Sequence, residues 1–261
     1  MKKLFAILFL SLFALPAQAA IQAKEITYHV GDAEFTGYLA YDDAIKEKRP
    51  GVLVVHEWWG HNEYARKRVR MLAELGYTAF ALDMYGTGKL ADHPDTAKAF
   101  MQAVTGNAEV MKARFMAGLD ILKKQNTVDV KRIAAIGYCM GGGISLNMAR
   151  SGVDLDAVVV FHGGLGTSTP VKKGVIKGEV LVLIGAADPF IPAEQVEAFE
   201  EEMKAAEVHY ELHAYPGVKH SFTSPDADLF AKKFNLPMAY DAAADKDSWQ
   251  RMQALFNKVF R

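Results

Sequence analysis

The chain has 261 residues, 51% of them hydrophobic, and its 30 lysines and arginines nearly balance 31 aspartates and glutamates. That balance excludes the broad basic field that nucleic acid or an anionic membrane surface would require. The apolar content is enough to fill the core of one α/β domain of this length, and no internal repeat or linker divides the chain.

Met1-Lys2-Lys3 precedes an apolar run over residues 4–15, and Pro16-Ala17-Gln18-Ala19-Ala20 follows. This is the pattern of a signal peptide with an Ala-x-Ala cleavage site. The expectation is cleavage after Ala19, a single mature domain over residues 20–261, and a periplasmic or secreted location with no membrane attachment of the mature form. An uncleaved anchor is the alternative, although the run is too short to span a bilayer comfortably. Cys139 is the only cysteine and has no intramolecular disulfide partner. A thiol retained in an oxidising compartment is either fully buried or used.

Residues 25–30 and 34–41 read as two strands joined by the Gly31-Asp32 turn, hence an antiparallel hairpin. From residue 51 the pattern alternates. The apolar run 51–55 has the composition of a strand buried on both faces. A helix over about 62–75, stopped by Gly76, leads to a strand over 77–82, and residues 94–125 read as two helices divided near Gly106. A strand over 132–138 is followed directly by a helix to about Arg150. Further strands fall at 157–161, 180–184 and 210–215, with a helix over 193–206 between the last two and a final helix from about Ser248 to Phe260. Residues 85–92 and 223–246 read as irregular, long enough to be pocket walls or lids. Such alternation predicts a mostly parallel sheet with helices on both faces and the hairpin at one edge.

Gly137-Tyr138-Cys139-Met140-Gly141 has the spacing of a nucleophile elbow with cysteine at its centre. The strand must turn sharply into a helix there, so the flanking positions call for residues without a Cβ. A thiol at a helix N-terminus is also more easily ionised, and the Met140 N–H would face a developing oxyanion. Asp188 follows the 180–184 strand and His220 follows the 210–215 strand, giving the chain order nucleophile, acid, histidine. In that reading His220 is the base and Asp188 fixes its tautomer.

His56-Glu57-Trp58-Trp59-Gly60 follows another buried strand. Its loop should face the elbow, with the Trp58 N–H as second oxyanion donor. Glu57 would be a carboxylate in an apolar cleft, where it needs a partner. The Cys139 thiol is one candidate, and Arg66 or Arg68 is the alternative. Trp58, Trp59, Tyr85 and Phe222 are expected to offer aromatic walls to the substrate. His209 and His213 lie four apart with no third ligand near them in sequence, so no metal site is expected.

Residues 50–223 resemble the dienelactone hydrolase family through His56-Glu57-x-x-Gly60, Asp83-Met84-Tyr85, Gly137-Tyr138-Cys139-Met140-Gly141-Gly142, Gly185-x-x-Asp188 and His220-Ser221-Phe222. Ala239-Tyr240 and Ser248-Trp249 are similar as well. The resemblance implies an α/β-hydrolase fold and a cofactor-free cysteine hydrolase acting on a small ester or lactone. In that family a glutamate, here Glu57, holds the resting thiol until the histidine takes it. Where dienelactone-cleaving members carry two arginines that grip the substrate carboxylate, this chain has Thr87 and Ser224. The machinery is kept without the carboxylate clamp, so a neutral substrate is expected. A non-catalytic binding protein on the same fold is the rival expectation, and no motif marks an oligomeric state.

Overall fold

The computed structural model describes residues 20–261, so the expected signal peptide lies outside the described residues. The first two strands, β1 (Ile21–Val30) and β2 (Ala33–Asp42), form the antiparallel hairpin, closed by a Val30–Ala33 pair with Gly31 at φ 57°. Both strands are longer than the sequence pattern suggested, because at a sheet edge polar residues such as Gln22 and Lys24 can pair their backbones while their side chains stay in water.

Beyond the hairpin come β3 (Arg49–Val55), β4 (Thr78–Leu82), β5 (Val128–Tyr138), β6 (Ala157–Phe161), β7 (Glu179–Gly185) and β8 (Tyr210–Tyr215). They form one eight-stranded sheet in the order β1-β2-β4-β3-β5-β6-β7-β8, parallel from β4 to β8. All seven residues of β3 are buried, as its apolar run requires. Successive residues serve opposite faces: Leu53 and Val55 join one core, Val52 and Val54 the other.

The helices cover both faces. On one side lie α2 (Pro94–Thr105), α3 (Ala108–Lys123), α4 (Met140–Arg150) and α5 (Ala193–Ala205); on the other lie α1 (Glu63–Glu74) and α7 (Ala242–Val259). Asn62 caps α1 by accepting from the Ala65 N–H, and Asn107 caps α3. Among the described residues no helix is long and apolar enough to cross a membrane.

The stretch 223–246 is not irregular throughout. It contains α6 (Ala227–Phe234), and α7 begins at Ala242, six residues before the expected Ser248. The α7 start is fixed locally, since the Asp241 side chain accepts from the N–H groups of Ala243 and Ala244 and the alanine run favours helix without showing an apolar stripe. α6 is held by tertiary contact instead. Phe230 and Phe234, one turn apart, pack against Trp59 at ring-centroid distances of 4.4 and 6.3 Å. Residues 85–92 remain a loop, but a pinned one: Asp83 accepts from Tyr85 and Gly86 N–H groups, and the Thr87 N–H donates to Glu34.

Candidate active site

Chain order reverses between β3 and β5, which lie side by side while their neighbours run outward in opposite directions. A crevice opens at the C-terminal ends of strands at such a point. Glu57 follows β3, Cys139 follows β5, Asp188 follows β7 and His220 follows β8, so four chain-distant segments converge there.

The elbow is built from backbone crowding. A Cβ on residue 137 would lie 2.0 Å from the Gly141 carbonyl oxygen, and one on residue 141 would lie 2.2 Å from that of Val55. Only glycine fits at either place. Cys139 itself sits at φ 53° and ψ −117°, a conformation that costs energy for any residue with a side chain.

His220 Nδ1 lies 2.6 Å from Asp188 Oδ2, and that carboxylate also accepts from the Phe190 N–H at 2.8 Å. Both side chains are buried. Burial works against a charge on His220, but the neighbouring Cys139 sulfur and the Asp188 hydrogen bond outweigh that and raise its pKa to about 10. The sulfur on one side and the carboxylate on the other thus favour the charged form of the ring.

Glu57 is buried beside this pair, and burial pushes its pKa up to about 7 despite the opposing pull of His220, Ser221 and Arg68. Its carboxylate accepts from Ser221 Oγ at 3.2 Å. Of the partners the sequence suggests for Glu57, Arg66 pairs with Glu25 at 2.7 Å, while Arg68 acts on the Glu57 charge but is itself paired with Asp245 at 2.6 Å, and the hydrogen bond Glu57 makes is to Ser221.

Met140 opens α4, so its N–H has no intrahelical acceptor. Trp58 is the second residue of a turn closed by the Gly60 N–H donating to Glu57 O, which leaves the Trp58 N–H outside that closure. A cavity of about 320 Å³ runs from Cys139 and His220 along α4, walled by Trp58, Met101, Ile144, Phe190 and Met238. No lysine or arginine lines it. Thr87 is bonded to Thr36 through its hydroxyl, and neither Thr87 nor Ser224 lines the cavity.

Three of the expected substrate-binding residues are elsewhere. Trp59 is stacked beneath α6, Phe222 is fully buried between His162 and Tyr215, and Tyr85 spends its hydroxyl on Trp58 O and Met140 Sδ. Tyr85 thus braces the cavity wall from behind, and the other two belong to the core. Phe190 and Met238 were missed, although Phe190 lies two residues from Asp188. His162, at the end of β6, reads from the sequence only as a reserve base behind His220, alongside His56, and strand-end position is the signal for it. Among the described residues no cluster of three or more His, Cys, Asp or Glu side chains is arranged for a metal ion.

A mostly parallel sheet carrying a glycine-flanked cysteine elbow, with acid and histidine on later strand ends, defines an α/β-hydrolase. Residues 35–260 match the model of the dienelactone hydrolase family, and the chain belongs to that family. It is 29% identical to Protein usf of Aquifex pyrophilus over 238 residues, covering 89% of this chain and 97% of that one. Two solved structures are more alike. The one titled m3DLH is 39% identical with a TM-score of 0.87, and a dienelactone hydrolase-like promiscuous phosphotriesterase, P91, from metagenomic libraries is 36% identical with a TM-score of 0.85; each match covers 93% of this chain and all of the other. The protein is accordingly a hydrolase of ester or lactone bonds.

Proposed function

We propose that the protein is an exported cysteine hydrolase that cleaves neutral, apolar carboxylic esters or lactones through an acyl-enzyme on Cys139. The observation that carries this reading is the Cys139–His220–Asp188 alignment at the head of an uncharged cavity. The sulfur, paired with the His220 imidazolium, attacks the carbonyl carbon, and the carbonyl electron pair moves onto oxygen between the N–H groups of Met140 and Trp58. As that oxyanion collapses, the alkoxide leaves with the proton from His220, and a thioester remains. Neutral His220 then takes a proton from water, whose oxygen attacks the thioester. The second collapse expels the sulfur and releases the acid, which restores the starting pair. Asp188 holds the ring orientation throughout, and Glu57, bonded to Ser221 beside the base, tunes the charge balance of the pair.

Mass spectrometry of protein quenched during turnover of a neutral p-nitrophenyl ester should find the acyl group on Cys139, and Cys139→Ala should abolish turnover. An acyl group on Ser145 or Ser221 would overturn the assignment. Export is tested separately: N-terminal sequencing of protein from a periplasmic fraction should begin at Ala20, and an intact Met1 terminus would refute cleavage.

A further inference from the structure

Behind Cys139, on the side away from the cavity, lies a buried polar chain that the mechanism above does not use. The Cys139 N–H is shared between the Phe161 carbonyl oxygen at 3.0 Å and His162 Nδ1 at 3.2 Å. His162 Nε2 lies 2.7 Å from Thr223 Oγ1, and that hydroxyl lies 2.6 Å from the Tyr64 hydroxyl. Arg68 ends the chain, donating from Nε to Tyr64 and from NH2 to the Thr223 carbonyl oxygen and to Asp245. Its buried guanidinium lies over Tyr64, Tyr138 and Trp249 at 5.2, 5.4 and 5.2 Å.

Donor and acceptor arithmetic fixes the tautomer. An N–H cannot donate to a protonated nitrogen, so His162 Nδ1 must be bare and the ring proton must sit on Nε2, directed at Thr223. His162 occupies a strained backbone of its own, at φ 41°, and its ring is fully buried. It also meets the catalytic base edge to face, 5.2 Å from the His220 ring. One side chain thus touches both the backbone of the strained elbow and the flank of the base.

We propose that His162 is a positioning residue of this site: as the Nε2–H tautomer, fixed by Thr223, Tyr64 and Arg68, it holds the Cys139 backbone in the elbow conformation and shores the His220 ring. The groups facing it agree. Burial first, then His220 from the loop after β8 and Arg68 from α1, drive its pKa well down, and Tyr138 of β5 and Tyr64 of α1 add no counter-charge while protonated. A cation at His162 would also lose the Cys139 N–H bond. The proposal rests on Cys139 being the nucleophile, but its tautomer can be read without any turnover.

Nitrogen-15 spectra of histidine-labelled wild-type protein, from about pH 5 to about pH 9 where an ordinary imidazole titrates, should show His162 with Nδ1 bare and Nε2 protonated throughout. A protonated Nδ1, or an imidazolium, overturns the proposal whatever the nucleophile is. Thr223→Val removes the acceptor for Nε2–H; it should mix in the Nδ1–H tautomer and lower kcat, and an unchanged tautomer would remove Thr223 from the chain. His162→Asn, whose amide oxygen can stand in for Nδ1, should keep most of kcat, whereas His162→Leu should lose at least about a hundredfold with KM little changed, as a misplaced nucleophile would. Equal kcat losses in folded His162→Asn and His162→Leu, or near-normal turnover in the latter, would show that His162 only fills space.

Discussion

The two sides of Cys139 are built on opposite plans. Behind it, toward α1 and α7, His162, Thr223, Tyr64, Arg68 and Asp245 join in one hydrogen-bonded chain, while the buried Tyr138 hydroxyl beside them has no partner among the described residues, and Asp188 and Glu57 have partners of their own. In front of it the cavity wall is Met101, Ile144, Phe190 and Met238, with no charged side chain but His220. Buried polar networks fix geometry when every member is satisfied, and apolar walls reward burial without demanding a geometry. The comparison teaches that the reacting groups are rigidly defined while substrate selection is coarse, by charge and bulk.

The largest effects should come from the His220–Asp188 pair, where the two sides meet. His220→Ala should lower kcat by about 10⁴ to 10⁶ and Asp188→Asn by about 10³ to 10⁴, the scale of other triads. Steady-state kinetics on a neutral ester measures both. If His220→Ala kept near-normal turnover, the Cys139–His220–Asp188 alignment would not be the machinery, and the contrast between the two sides would lose its meaning.

Glu57 gives a pH signature of the rear side. Its ordinary pKa of 4.5 rises to about 7 in the fold. Between those values the native protein holds a proton that the unfolded chain has released, so native binding exceeds unfolded binding and stability falls as pH rises through the window; above about pH 7 this contribution is flat. The total is on the order of 3 kcal/mol. Denaturant titrations at stepped pH should show a decline that is absent in Glu57→Gln. An identical decline in the variant would place the titrating group elsewhere.

The front side makes the next prediction. Where a carboxylate would have met an arginine, this cavity offers neither lysine nor arginine, and a charge-assisted hydrogen bond contributes about 1.5–3 kcal/mol. Matched neutral and carboxylate-bearing esters should therefore differ by about tenfold to a hundredfold in kcat/KM, in favour of the neutral one. Ile144→Arg should narrow or reverse the ratio. A wild-type preference for the charged ester would mean that a cation outside the cavity wall reaches the substrate.

Much of the rear side was legible because its signals are local. The all-buried β3 follows from an unbroken apolar run, and the elbow follows from two glycines around Cys139 that no other residue can replace. Asp188 and His220 could be picked out by their place after strands. His162 has the same kind of place, after β6, but with no motif around it the sequence offers it only as a reserve base, not as a positioning residue. The front side was less legible, for a geometric reason: neighbours in an extended or turning chain point in different directions. Trp58 faces the cavity while Trp59 turns to α6, and Phe222, two residues past His220, enters the core. Which aromatic residue meets substrate depends on turns that composition does not encode. α6 escaped notice for a related reason, since its apolar pair has meaning only against Trp59.

The smallest expected effect sharpens that last distinction. Phe230 stacks on Trp59 with centroids 4.4 Å apart and an interplanar angle of 21°, and it does not line the cavity. If the Trp59 cluster is structural, Phe230→Ala should cost stability and leave recognition alone. Phe230 is half-buried, so the loss is the ring stack plus partial burial, about 1–2 kcal/mol. For a domain of this size that lowers Tm by about 2–8 °C. Below the transition, KM for a neutral ester should stay close to wild type, because Trp58 is placed by its own turn and by the Tyr85 hydroxyl on its carbonyl oxygen. Calorimetry and kinetics on the same preparation separate the two quantities. A raised KM with unchanged Tm would return the Trp59 cluster to the substrate side and move the boundary between the two regions outward to α6.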